Sequence, residues 1–136
     1  MTRQEVDTLA VISIGGGLGA LGRYGVSLCL PTRPGHIPWG TLVTNVTGGF
    51  LIGVLLVLIT ELWAVHRLWR PFLGVGVLGG YTTFSAYAVE MHDLILDGTE
   101  GVAFSYLAVM LVAGLAAVVL GVASTRFATG ISRDRE

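Results

Sequence analysis

No lysine occurs anywhere in the chain, and a single cysteine, Cys29, leaves nothing to form an internal disulfide. Charge of either sign is scarce. Charged residues make up 12% of the 136 positions against 53% hydrophobic ones, and the mean hydropathy is +0.76. A soluble domain carries about twice that share of charge, so the chain is read as an integral membrane protein. A net charge of −1 and a pI of about 6.3 offer neither a nucleic-acid surface nor a polybasic lipid-binding patch. Cys29 reads as a small apolar filler.

A transmembrane helix needs roughly 20 apolar residues. The apolar runs at about Leu9–Leu30, Trp39–Leu62, Phe72–Leu96 and Val102–Phe127 therefore predict an all-α, single-domain protein of four spans over residues 1–136. The breaks between them are short: PTRPGHIP (Pro31–Pro38), AVHRLWRP (Ala64–Pro71) and DGTEG (Asp97–Gly101). Trp39, Trp63 and Trp69 fall at expected span ends, where an amphipathic indole belongs. The polar start MTRQEVD leads into a run too long, and without a small-residue cleavage site, for a removable signal. The first run is expected to be a permanent span.

Several familiar patterns carry no function here. Gly17, Gly19 and Gly22 spell G-x-G-x-x-G, but a dinucleotide site needs a preceding strand and an acid about 20 positions on, and IPWGTL at 37–42 has none. Gly15 and Gly19 read better as a small-residue face that lets another helix come close. Asn45-Val46-Thr47 matches a glycosylation sequon inside a span, out of reach of the modification. His36, His66 and His92 are far apart and lack companions at ligand spacing, so no metal role is assigned to them.

Polar groups at membrane depth are costly and therefore informative. Arg23 is the only charge inside the first run, the second is polar over its first third (Thr41, Thr44, Asn45, Thr47), and the third holds GGYTTFSAY with Thr82, Thr83 and Ser85. Hydroxyls can bond back to their own helix, which is the plainer reading of any one of them. As a set they suggest more. No carboxylate lies in the middle of a run: Glu61 and Glu90 fall toward the ends, and Asp93, Asp97 and Glu100 further out. A proton-coupled carrier or cation pathway is thereby disfavoured. The Asn45 amide, the hydroxyls and aromatic ring edges are instead groups that solvate a small anion without trapping it.

GRYG at Gly22–Gly25, GTLVTNVTGGFLIG at Gly40–Gly53 and GGYTTFSAY at Gly79–Tyr87 together resemble the Fluc (CrcB) family of fluoride channels over essentially the whole chain. The resemblance implies an inverted, antiparallel dimer with two fluoride pores, a third helix broken mid-membrane, and one structural sodium ion held on the dimer axis by the backbone carbonyls of Gly79 and Thr82. It implies pore positions at Asn45, Thr41 and Phe84, a mouth position at Arg23, and a fourth-span polar track for which Ser105 and Tyr106 are the available residues. Thr83 and Ser85 join this set from the hydroxyl cluster. Position 87 departs from the pattern, with Tyr87 where the family's second phenylalanine would stand. The implied activity is passive efflux of fluoride across the plasma membrane, with no reaction catalysed. The alternatives are a small multidrug-type antiporter, which would need an acid within its first span where only Glu5 and Asp7 precede it, and a non-conducting membrane subunit.

Arginines set an expected orientation. With four spans, the N-terminus, second loop and C-terminus share a side and hold Arg3, Arg67, Arg70, Arg126, Arg133 and Arg135, against Arg33 and Arg23 opposite. Basic residues in short loops stay cytoplasmic, so both termini are expected inside. An inverted partner would then be a homologous chain of opposite bias, with a dual-topology homodimer as the alternative.

Overall fold

The computed structural model describes residues 2–62 and 67–130. Every regular element among them is helical, and four helices are long and apolar enough to cross a membrane: Arg3–Cys29, Trp39–Glu61, Pro71–Leu96 and Glu100–Thr129. Trp63, Ala64, Val65 and His66 of the second loop, and the tail arginines Arg133 and Arg135, lie outside the described residues.

The first helix, α1 (Arg3–Cys29), starts two turns ahead of the apolar run because Thr2 and Glu5 form a capping box. The Glu5 amide donates to Thr2 Oγ1 at 3.4 Å, and the Thr2 amide donates to a Glu5 carboxylate oxygen at 2.8 Å. Pro31 and Pro34 follow its end, and Gly35 turns the chain with a φ of +70°. The second span is α2 (Trp39–Val57) continued by a π-helical segment, Leu58–Leu62. The third opens as a π-helix over Pro71–Leu78, passes into the short α3 (Gly79–Tyr81), leaves helical conformation at Thr82 and Thr83, and resumes as α4 (Phe84–Leu96). The fourth, α5 (Glu100–Thr129), ends on Gly130 in the left-handed region.

Packing pairs α1 with the third span and α2 with α5. Both contacts are backbone on backbone. A β-carbon added at Gly80 would strike the Gly16 carbonyl oxygen, and one at Gly53 would strike that of Val118. Small residues let membrane helices approach this closely, so the small-residue face expected on α1 is met within the chain by the third span.

The interior is thin. Leu42, Tyr87, Leu94, Ala103, Tyr106 and Met110 form its buried cluster, drawn from α2, α4 and α5. Most large apolar side chains, among them Leu18, Leu21, Val112 and Phe127, point outward. That is the pattern of a chain whose surroundings are apolar.

Two arginine–carboxylate pairs mark one end of the bundle. Arg126 reaches Glu61 at 2.6 Å, joining the ends of the second and fourth spans, and Arg67 reaches Asp7 at 3.5 Å, joining the second loop to the start of α1. The opposite end brings His36, Ile37 and Trp39 around Gly98, Thr99 and Val102. Arg67 and Arg126 thus lie at the same end of the bundle.

Candidate functional site

Two adjoining clusters of polar groups lie between the spans. The first surrounds the interruption in the third span. Thr82 (φ −74°, ψ 156°) and Thr83 (φ −149°, ψ 125°) are extended, so the carbonyls just ahead of them lose the amides that a continuous helix would supply. Such groups need other partners in a dry setting.

Side chains from both neighbouring spans supply them. Asn45 of α2 donates from Nδ2 to the Thr83 carbonyl at 2.8 Å and accepts from the Thr83 amide at Oδ1, also at 2.8 Å. Its Nδ2 lies 3.7 Å from Met110 Sδ as well. On the other side, Arg23 Nε of α1 donates to the Gly80 carbonyl at 3.3 Å. The Tyr81 hydroxyl meets Thr47 Oγ1 at 2.9 Å, and Thr82 Oγ1 turns back to the Leu78 carbonyl at 2.9 Å.

α4 restarts on a side-chain cap. Thr83 Oγ1 accepts from the Ala86 amide at 3.2 Å and lies 3.3 Å from Ser85 Oγ. Phe84 follows, with 80% of its surface exposed. One turn on, Tyr87 is buried and touches Phe84 and Tyr106, at centroid distances of 5.8 Å and 5.2 Å and ring angles of 52° and 61°.

The second cluster centres on Glu90. Thr41 Oγ1 donates to its Oε1 at 2.7 Å, and the Tyr106 hydroxyl donates to Oε2 at 2.8 Å. One carboxylate thus joins α2, α4 and α5. By position Glu90 falls toward the end of its span, with Leu96 six residues on, yet the side chain turns inward. Helical spacing carried the signal: Thr83, Tyr87 and Glu90 recur at i, i+4 and i+7, Thr41 and Asn45 at i and i+4, and Tyr106 and Met110 likewise.

The predicted residues therefore divide. Asn45, Thr83 and Ser85 gather at the interruption, Phe84, Tyr87 and Tyr106 form a row of rings, and Thr41 joins Tyr106 through Glu90. Gly79 and Thr82 flank the turn ahead of the gap, and Arg23 approaches it from α1. Ser105 stands apart, exposed and bonded to the Gly101 carbonyl of its own helix at 2.8 Å. Met110, apolar by type, lies against the Asn45 amide.

Residues 10–122 match the model of the family described as CrcB-like protein, Camphor Resistance (CrcB). The chain belongs to this family. Among family relatives, a protein of Nocardia farcinica named fluoride-specific ion channel FluC 2 is 58% identical over 125 residues, covering 92% of this chain and 89% of its own. FluC 2 of Streptomyces avermitilis is 48% identical, covering 79% of this chain and 68% of its own, and FluC 1 of Streptomyces coelicolor is 47% identical, covering 91% and 80%.

Proposed function

We propose that this chain forms a fluoride channel that lets the anion leave the cell passively. The family relatives support the ion, since those just described are named fluoride-specific channels. The observation that carries the reading in this molecule is the continuity of neutral donors and rings from the interruption inward. Asn45, Thr83 and Ser85 lead to Phe84, Tyr87 and Tyr106, in a chain whose other surfaces are mostly apolar.

The chemistry suits a small anion. O–H and N–H dipoles and the positive edges of rings attract fluoride without a fixed cation that would hold it. Hydrogen fluoride crosses membranes as a neutral acid and ionises inside, and an anion pathway relieves that trapping. Arg23 belongs to a mouth in this reading, and Ser105 to the polar track of the fourth span. Thr41 and Tyr106 flank the path beside Glu90, whose carboxylate accepts a hydrogen bond from each.

The working unit is an inverted dimer, with the interruption at mid-membrane and a structural sodium ion at its centre. The carbonyls of Gly79 and Thr82 fit such an ion, because hard cations take oxygen ligands and these oxygens sit where helical pairing stops. Two oxygens fall short of a full shell, so a second chain would complete it. Both termini lie in the cytoplasm, and an inverted homologue is the favoured partner. Streptomyces avermitilis carries relatives named FluC 2 and FluC 3, which supports pairing between paralogues. The antiporter reading gains nothing from α1, whose acids Glu5 and Asp7 lie in its first turns.

Fluoride efflux from liposomes holding the purified protein, alone and with a co-expressed paralogue, tests the proposal. Release of fluoride but not chloride is expected; no release in either form would overturn it.

A further inference from the structure

Among the described residues one buried side-chain oxygen has no hydrogen-bond partner, the hydroxyl of Tyr87. The residue is only 7% exposed. Buried polar atoms in native proteins nearly always have a partner, whether protein, ordered water or ligand, so this hydroxyl marks a place for an atom that the chain does not supply.

The surrounding groups are already taken. The Tyr106 hydroxyl donates to Glu90, Thr41 donates to the other Glu90 oxygen, and the Asn45 amide is bound to Thr83. Tyr87 is set between the rings of Phe84 and Tyr106, where ring edges add a weak positive field. The one charge of the wrong sign, Glu90, has each oxygen covered by an O–H donor.

We propose that the Tyr87 hydroxyl is a donor site for the dehydrated anion inside the bundle, a ligand distinct from the ring edge that a phenylalanine at this position would offer. The inference rests on the fluoride reading. A phenol O–H to a bare halide is a charge-assisted hydrogen bond and strongest for the smallest ion, so the site favours fluoride over chloride by bond strength.

Tyr87→Phe keeps the ring and removes the oxygen. In liposomes, the fluoride concentration that half-saturates efflux should rise about tenfold, the equivalent of one charge-assisted hydrogen bond. The thermal stabilisation that fluoride gives the purified protein should shrink in parallel. Equal half-saturation in wild type and Tyr87→Phe overturns this site while leaving the channel reading in place, and the hydroxyl's partner is then water. A wild type that releases no fluoride fails the channel reading itself. If Tyr87→Phe does not assemble, the wild type supplies the test by infrared difference spectra on exchanging chloride for fluoride. Tyr81 and Tyr106 have their hydroxyls paired and Tyr24 faces outward, so Tyr87 is the free interior phenol. A tyrosine C–O band that shifts with fluoride supports the site, and a band that does not move overturns it.

Discussion

Asn45 and Thr83 exchange two hydrogen bonds of 2.8 Å each, so that the side-chain amide takes the Thr83 N–H that helical pairing has lost and adds a second donor to the Thr83 carbonyl. A carboxamide matches a peptide unit because it carries a donor and an acceptor side by side. The Oδ1 and one N–H of Asn45 are thereby engaged at the interruption, and its Nδ2 also lies 3.7 Å from Met110 Sδ.

Asn45→Asp should abolish fluoride efflux. The change removes the donor to the Thr83 carbonyl and sets a negative charge beside it, in surroundings where charge is poorly screened. Asn45→Ala should also abolish it and lower the stability of the purified protein by about 2 kcal/mol, since the Thr83 amide is left without its partner. Undiminished flux in either variant would separate the clasp from the pathway.

Phe84→Ile should cut efflux severely while leaving assembly intact. The ring is mostly exposed within one chain, so little of this chain's packing depends on it. An aliphatic side chain fills similar space and lacks the polarised edge. Size-exclusion chromatography beside the flux assay tells the outcomes apart, and normal conduction would make the ring packing only.

Gly53→Ala should destabilise the fold by about 1–3 kcal/mol, because the new carbon meets the Val118 backbone and no flexible side chain can yield. Gly17→Ala, with open space at that position, should leave the fold of one chain unchanged. Thermal melting in detergent compares the two, and equal melting would contradict the close approach of α2 and α5.

Cysteine labelling of a tail-tagged, Cys29-free version expressed alone should proceed from one face of the membrane only. Four of the arginines expected on the cytoplasmic side are Arg3, Arg67, Arg70 and Arg126, and ion pairs bring Arg67 and Arg126 to one end of the bundle. Comparable labelling from both faces would restore the dual-topology homodimer.

The spans were legible because apolar run length and proline breaks act locally. Their starts were less so: α1 begins at Arg3 through a cap that hydropathy does not register. Asn45, Phe84 and Tyr87 stood out by type. Glu90 did not, because counting residues to the end of a span says nothing about which way a side chain turns, and its partners Thr41 and Tyr106 lie 49 and 16 residues away in sequence. The π-helical turns at Leu58–Leu62 and Pro71–Leu78 had no sequence signal that was read, since an apolar run looks alike in either winding.

The interruption is gripped from both flanks, by Arg23 of the first span at Gly80 and by Asn45 of the second at Thr83. Its shape is therefore set as soon as one subunit has finished folding. In the inverted dimer proposed above, two subunits would then meet as finished parts. Assembly becomes a matter of encounter in the plane of the bilayer, and a subunit without its mate can wait there without unravelling.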